Sequence, residues 1–150
     1  MAKSNFGALI SSGLVAAIAF IIAEFLLEGA VGLFGFNEAA IFREMYPDYR
    51  FEGVTFQFLN ILQLVVFMIF TMWLYTALTP RFGAGPTCAL VASFVMWFMY
   101  LVFATNFARL GVLPMNIAVA SVLFNLVEIP LAVLVGSSVY DAANKSAQEA

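Results

Sequence analysis

The sequence predicts an all-α integral membrane protein, a four-helix bundle of antiparallel up-down topology with a short amphipathic piece in its first loop. Three observations predict it. Apolar residues make up 64% of the chain and mean hydropathy is +1.01, whereas soluble domains are roughly half apolar. The apolar residues gather into four runs, each able to supply the about 20 residues that a hydrocarbon core demands. Charged residues amount to only 10% and lie mostly between the runs. The expected spans are residues 7–36, 54–78, 87–110 and 115–139, in one transmembrane domain covering residues 1–150.

The first run follows Lys3 and contains Ala17-Ile18-Ala19, a pattern that resembles a signal-peptide cleavage site. Its apolar character continues to Phe36, well past the about 7–15 residues of a signal's hydrophobic region, so a retained span is expected. Small residues mark it as a packing helix: Gly7, Ser11, Ser12, Gly13, Ala16 and Ala17, then Gly29, Gly32 and Gly35. In lipid such residues let helix backbones approach closely. Between the two groups, Glu24 and Glu28 are four apart and share one face.

The loop from Asn37 to Glu52 holds Glu38, Arg43, Glu44, Asp48 and Arg50. Asn37-Glu38 starts a short helix in this reading, and Tyr46-Pro47-Asp48-Tyr49 reads as a turn. With Ile41, Phe42, Met45 and Tyr46, the segment suits an interfacial position, and an ordinary capped loop is the plain alternative. The second run carries Asn60 and Gln63 one turn apart, then an aromatic and aliphatic stretch to Tyr75. Its exit, Thr79-Pro80-Arg81-Phe82-Gly83-Ala84-Gly85-Pro86, reads as a rigid turn between antiparallel helices. Those glycines do not form a phosphate loop, which needs a preceding strand and a following Lys-Ser or Lys-Thr pair. The third run is aromatic, with Phe94, Trp97, Phe98, Tyr100, Phe103 and Phe107, which reads as lipid contact and core; it ends in Asn106, Arg109 and Gly111. Pro114 opens the fourth run, and the tail from Asp141 to Ala150 is expected to fray.

Composition excludes several function classes. Six basic and nine acidic residues give a net charge of −3, with no run of either sign, so no nucleic-acid footprint is expected. The chain has no histidine, the commonest haem ligand and a frequent ligand of zinc and copper. Cys88 is the single cysteine, so no intramolecular disulfide can form, and its place in an apolar run suits a buried inert thiol. No metal, no cofactor and no enzymatic activity are expected, although carboxylates alone could hold a metal. Basic residues split three and three, with Lys3, Arg81 and Lys145 on one side and Arg43, Arg50 and Arg109 on the other. That balance leaves the positive-inside rule undecided; the even span count and the acidic first loop favour cytoplasmic termini.

The candidate functional residues are polar groups at membrane depth. Counted at about 1.5 Å per residue from the face carrying the first and third loops, Glu28 lies about 12 Å in and Glu24 about 18 Å. By the same count Asn60 lies about 9 Å in, Gln63 about 14 Å, Asn125 about 15 Å and Glu128 about 20 Å. One interior polar layer is the expectation, with Glu24 facing Glu128 and Arg109 a possible counter-ion to Glu28. Two carboxylates in low dielectric cannot both ionise cheaply, so at least one is expected to hold its proton. The plain role for this layer is to fix helix register through hydrogen bonds worth about 0.6–2 kcal/mol each. The sharper role is a proton or cation site. Pro130 serves either by freeing the carbonyl near Leu126.

At Trp73-Leu74-Tyr75 leading into Pro80-Arg81-Phe82-Gly83-Ala84-Gly85-Pro86, and at Leu126-Val127-Glu128 followed by Gly136, the chain resembles a group of small bacterial four-span membrane proteins. The resemblance covers most of the chain and implies a four-helix fold in a bacterial inner membrane. It implies no activity. The long acidic and aromatic first loop departs from the group's pattern and leaves room for a specialised partner.

Two functions are weighed first. One is a non-catalytic accessory or structural subunit of a larger bacterial membrane complex, such as an energy-transducing or photosynthetic assembly. The other is a small homo-oligomeric proton- or cation-coupled transporter or channel using Glu24 and Glu128. Expected partners are membrane lipids together with other integral membrane subunits or the chain itself.

Overall fold

A computed structural model describes residues 6–33, 38–45, 47 and 54–149. Five helices follow in order: α1 (Phe6–Gly32), α2 (Glu38–Met45), α3 (Val54–Phe82), α4 (Pro86–Arg109) and α5 (Met115–Glu149). No strand occurs among the described residues. Four helices contain membrane-length apolar stretches, Phe6–Gly32, Gln57–Phe82, Pro86–Arg109 and Met115–Ser146. The protein is an all-α, four-span integral membrane bundle. Going round it, the order is α1, α3, α4, α5 and back to α1, each packed on its neighbours; α1 packs most extensively on α5, and the α3–α5 diagonal is slight.

Close backbone approach holds one half of this ring shut. A Cβ added at Gly13 would stand 2.8 Å from the Ile69 Cα, and one at Gly136 would stand 2.9 Å from the Ala16 Cβ, the Met72 Sδ and the Ser12 carbonyl oxygen. Around these contacts lie Ala16, Met68, Met72, Tyr75, Cys88, Ala89, Ala92, Ile129, Ala132 and Val133, all fully buried. The buried hydroxyls here are satisfied within their own helices: Ser12 Oγ donates to Leu9 O at 2.9 Å, Thr71 Oγ1 to Phe67 O at 2.8 Å and Ser93 Oγ to Ala89 O at 2.7 Å. Such back-bonds let a hydroxyl sit in an apolar interface without an orphaned donor.

The other half is looser. Residues 57–63 of α3 are all exposed, and from Glu24 onward α1 is mostly exposed as well. Gly29 and Gly32 have nothing within 4 Å of an added Cβ, so these two members of the second small-residue group of α1, expected to pack, meet no neighbour among the described residues. Its last member, Gly35, lies outside the described residues, as do residues 34–37 of the expected first span and its following loop. In this half α4 and α5 stay together, tied by Trp97 Nε1 donating to Val122 O at 2.9 Å and by buried Ala104, Ile117 and Ala118.

Several boundaries differ from expectation for identifiable reasons. The second span runs to Phe82 through Pro80, because Thr79 Oγ1 donates to Tyr75 O at 2.9 Å and Gly83 N to Thr79 O at 2.9 Å, closing the last turn. The turn is therefore only Gly83-Ala84-Gly85. Gly83 and Gly85 have φ of 77° and 119°, a region that side-chain-bearing residues rarely adopt. Pro86 then starts α4, where its missing N–H goes unneeded. The Arg81 guanidinium rests 5.8 Å from the centre of the Phe82 ring. The fourth span does not fray after Val139 but stays helical to Glu149, since Tyr140 is buried and Asp141 is hydrogen-bonded. In the first loop α2 provides the short amphipathic helix, with Arg43, Glu44 and Met45 exposed. Tyr46, Asp48, Tyr49, Arg50 and Glu52 lie outside the described residues.

Candidate functional site

The helices that pack closely at Gly13 and Gly136 part toward the first loop, and a half-open cavity of about 110 Å³ forms there between α1, α4 and α5. Its lining is Phe20, Glu24 and Glu28 from α1, Tyr100 from α4, and Ser121, Phe124, Asn125 and Glu128 from α5. Helical spacing explains the set. Phe20, Glu24 and Glu28 recur every four residues, and Ser121, Asn125 and Glu128 are separated by four and three, so each group lies on one face of its helix.

Glu128 is 2% exposed and is the one buried carboxylate among the described residues. Its Oε1 accepts no hydrogen bond among them, although the residue is not without a partner. Glu24 and Glu28 are exposed and stand at the rim. Asn125 is half-buried, and its Nδ2 donates to Ser121 O at 2.8 Å, which aligns the amide along the cavity wall. Pro130 sits inside α5 two residues beyond Glu128, where the helix cannot donate an N–H to the Leu126 carbonyl.

Of the expected polar layer, the structure brings Glu24, Glu28, Asn125 and Glu128 round one space. Asn60 and Gln63 do not line it; both are exposed on α3. They share its depth nonetheless. Gly13 abuts Ile69 and Gly136 abuts Ser12 and Ala16, and counting equal steps along antiparallel helices puts Asn60 and Glu128 both level with Ile22, to within about one turn. Arg109 is exposed in the last turn of α4. It lies about 13 Å beyond the Tyr100 level along the helix, outside the cavity lining.

Sequence reasoning missed Tyr100, Ser121 and the aromatic walls Phe20 and Phe124. The spacing of Ser121, Asn125 and Glu128 was the available signal. It also missed a clamp at the opposite end of the bundle. The Tyr75 hydroxyl donates to Asp141 Oδ2 at 2.7 Å and accepts the Gly85 N–H at 2.9 Å, joining α3, the glycine turn and α5. Its ring meets Tyr140 edge-on, with centres 6.1 Å apart. The turn residues Pro80, Arg81, Phe82, Gly83, Gly85 and Pro86 thus belong to a structural joint remote from the cavity.

Among the described residues no three His, Cys, Asp or Glu side chains are grouped to hold a metal ion. What the cavity offers chemically is oxygen: carboxylates and an amide, beside aromatic walls. No protein-family model, curated protein or solved structure matches the chain.

Proposed function

We propose that this chain is a non-catalytic accessory subunit of a larger membrane assembly, seated in a bacterial inner membrane. One observation carries the reading: residues 57–63 of α3 are exposed on every face, and two of them, Asn60 and Gln63, are amides inside the membrane-length stretch. An amide facing hydrocarbon without a hydrogen-bond partner costs about 1–3 kcal/mol on mutational scales. A neighbouring chain relieves that cost; lipid tails do not. The likeness of the glycine turn and the last-helix glutamate to small bacterial four-span proteins supports the inner-membrane location. In this reading the carboxylates and amides set helix register.

The test is the native mass after gentle extraction from the chain's own membrane at its own expression level, with each co-migrating chain identified. Stoichiometric migration in a larger complex is expected. Migration as a monomer, or as copies of this chain alone, would overturn the reading.

A second reading is favoured by the cavity, because Glu24, Glu28, Asn125 and Glu128 surround one space at membrane depth. There the chain exchanges protons or a cation, as a small homo-oligomeric carrier or channel. Liposomes holding the pure protein would then show proton or cation flux that Glu24→Gln and Glu128→Gln abolish. Absence of flux in the parent protein would dismiss this reading.

A further inference from the structure

We infer that the occupant of the exposed α3 face is a second copy of this chain, paired with the first through Asn60 and Gln63. This rests on the assembly reading above and names the partner of the same surface. Asn60, Gln63, Phe67, Phe70 and Leu74 recur at alternating steps of three and four along α3. That is the spacing along which two helices pack with a left-handed crossing. Asn60, Gln63 and Phe70 are exposed, and Phe67 and Leu74 are half-buried at the edge of the bundle's own core.

Chemistry selects a copy of itself over a different chain. An amide is both donor and acceptor, so the same patch on a two-fold-related copy completes it with no second kind of surface. Between Val54 and Pro80 the helix carries no charged residue, so nothing repels when this face meets itself. The neighbouring α1 surface behaves oppositely: its exposed Glu24 and Glu28 would oppose like groups across a two-fold axis. Among the membrane-depth surfaces of the loose half, the α3 face joins polar self-complementarity to neutrality. Interhelical hydrogen bonds between amides in lipid are modest singly, and two residues doubled by symmetry place up to four amides in the contact.

The experiment measures the dimer directly. Fluorescently labelled chains are reconstituted in liposomes over a range of protein-to-lipid ratios, and energy transfer is followed for the parent and for Asn60→Leu/Gln63→Leu. Leucine at an exposed lipid-facing position leaves the fold in place, which the thermal midpoint in detergent verifies. The expected result is density-dependent transfer in the parent, with dimerisation weakened about tenfold or more in the double variant. In a Cys88→Ala background, Gln63→Cys should form an oxidised dimer, while Val119→Cys, exposed on α5, should not. Transfer unchanged in the double variant, or cross-linking equally efficient at Val119→Cys, would overturn the inference. A native complex holding one copy of this chain with other chains would overturn it too, while leaving the assembly reading intact. A monomer both in liposomes and in the native extract would end both.

Discussion

The two halves of this bundle are made from the same four helices and are packed by opposite rules. Toward the glycine turn, Ser12, Gly13, Ala16 and Gly136 bring backbones so near that a single added carbon would collide with neighbouring atoms. Toward the first loop, α1 continues as Glu24, Phe25, Leu26 and Glu28, and the helices separate. The difference teaches that small residues bring helices together only where a facing helix lies within reach of them. Gly13 and Gly136 meet Ile69, Ala16 and Met72, whereas Gly29 and Gly32 meet open space. Glycine count is not what distinguishes the halves; partner geometry is.

Substitutions can break this contrast, and the largest effect is expected at Gly136. Gly136→Val puts a Cβ 2.9 Å from the Ala16 Cβ, the Met72 Sδ and the Ser12 carbonyl oxygen and forces the helices apart, a loss of about 1–3 kcal/mol or more. It should lower the thermal midpoint in detergent markedly, while Gly29→Val lowers it little. Equal losses at both sites would mean that the looser half is packed after all.

Next in size is Tyr75→Phe. It removes the hydroxyl that serves both Asp141 and the Gly85 amide, at a cost of about 1–3 kcal/mol for the groups left without a partner. Asp141→Asn keeps an acceptor and should cost less, so the order of the two midpoints tests the clamp. Trp97→Phe removes the hydrogen bond from Trp97 Nε1 to the Val122 carbonyl in the looser half, with an expected loss of about 0.5–1.5 kcal/mol.

The smallest energetic change sharpens the comparison instead. Cys88 is fully buried in the tight half and should resist a water-soluble maleimide in the folded protein. Ser121→Cys in a Cys88→Ala background puts a thiol on the half-open cavity and should react, with the fold little disturbed. Lack of labelling at residue 121 would show the cavity to be closed to water.

The helical class and the spans were legible because hydropathy over some 20 residues reports directly on the solvent that a segment meets. Two kinds of feature were not. Helix ends depended on distant partners: α5 runs past Val139 because Tyr75, far earlier in the chain, reaches Asp141. The depth of a polar group follows from counting along one helix, so Glu24, Asn125 and Glu128 could be placed in one layer from sequence. Which face each polar side chain takes depends on how the helices turn toward one another, and counting cannot show that Asn60 and Gln63 sit outside.

The pairing of α1 with α5 has a consequence for how the chain assembles. Ala16 and Gly136 meet although most of the sequence separates them, so the contact that completes the ring cannot form until the last helix has been synthesised and inserted. Until then Ser12, Ala16 and the face awaiting α5 have no protein neighbour there. Non-local closure of this sort is slow relative to local helix pairing, which makes the interval before α5 arrives the stage at which a nascent chain is most exposed to mispairing and to quality-control proteolysis.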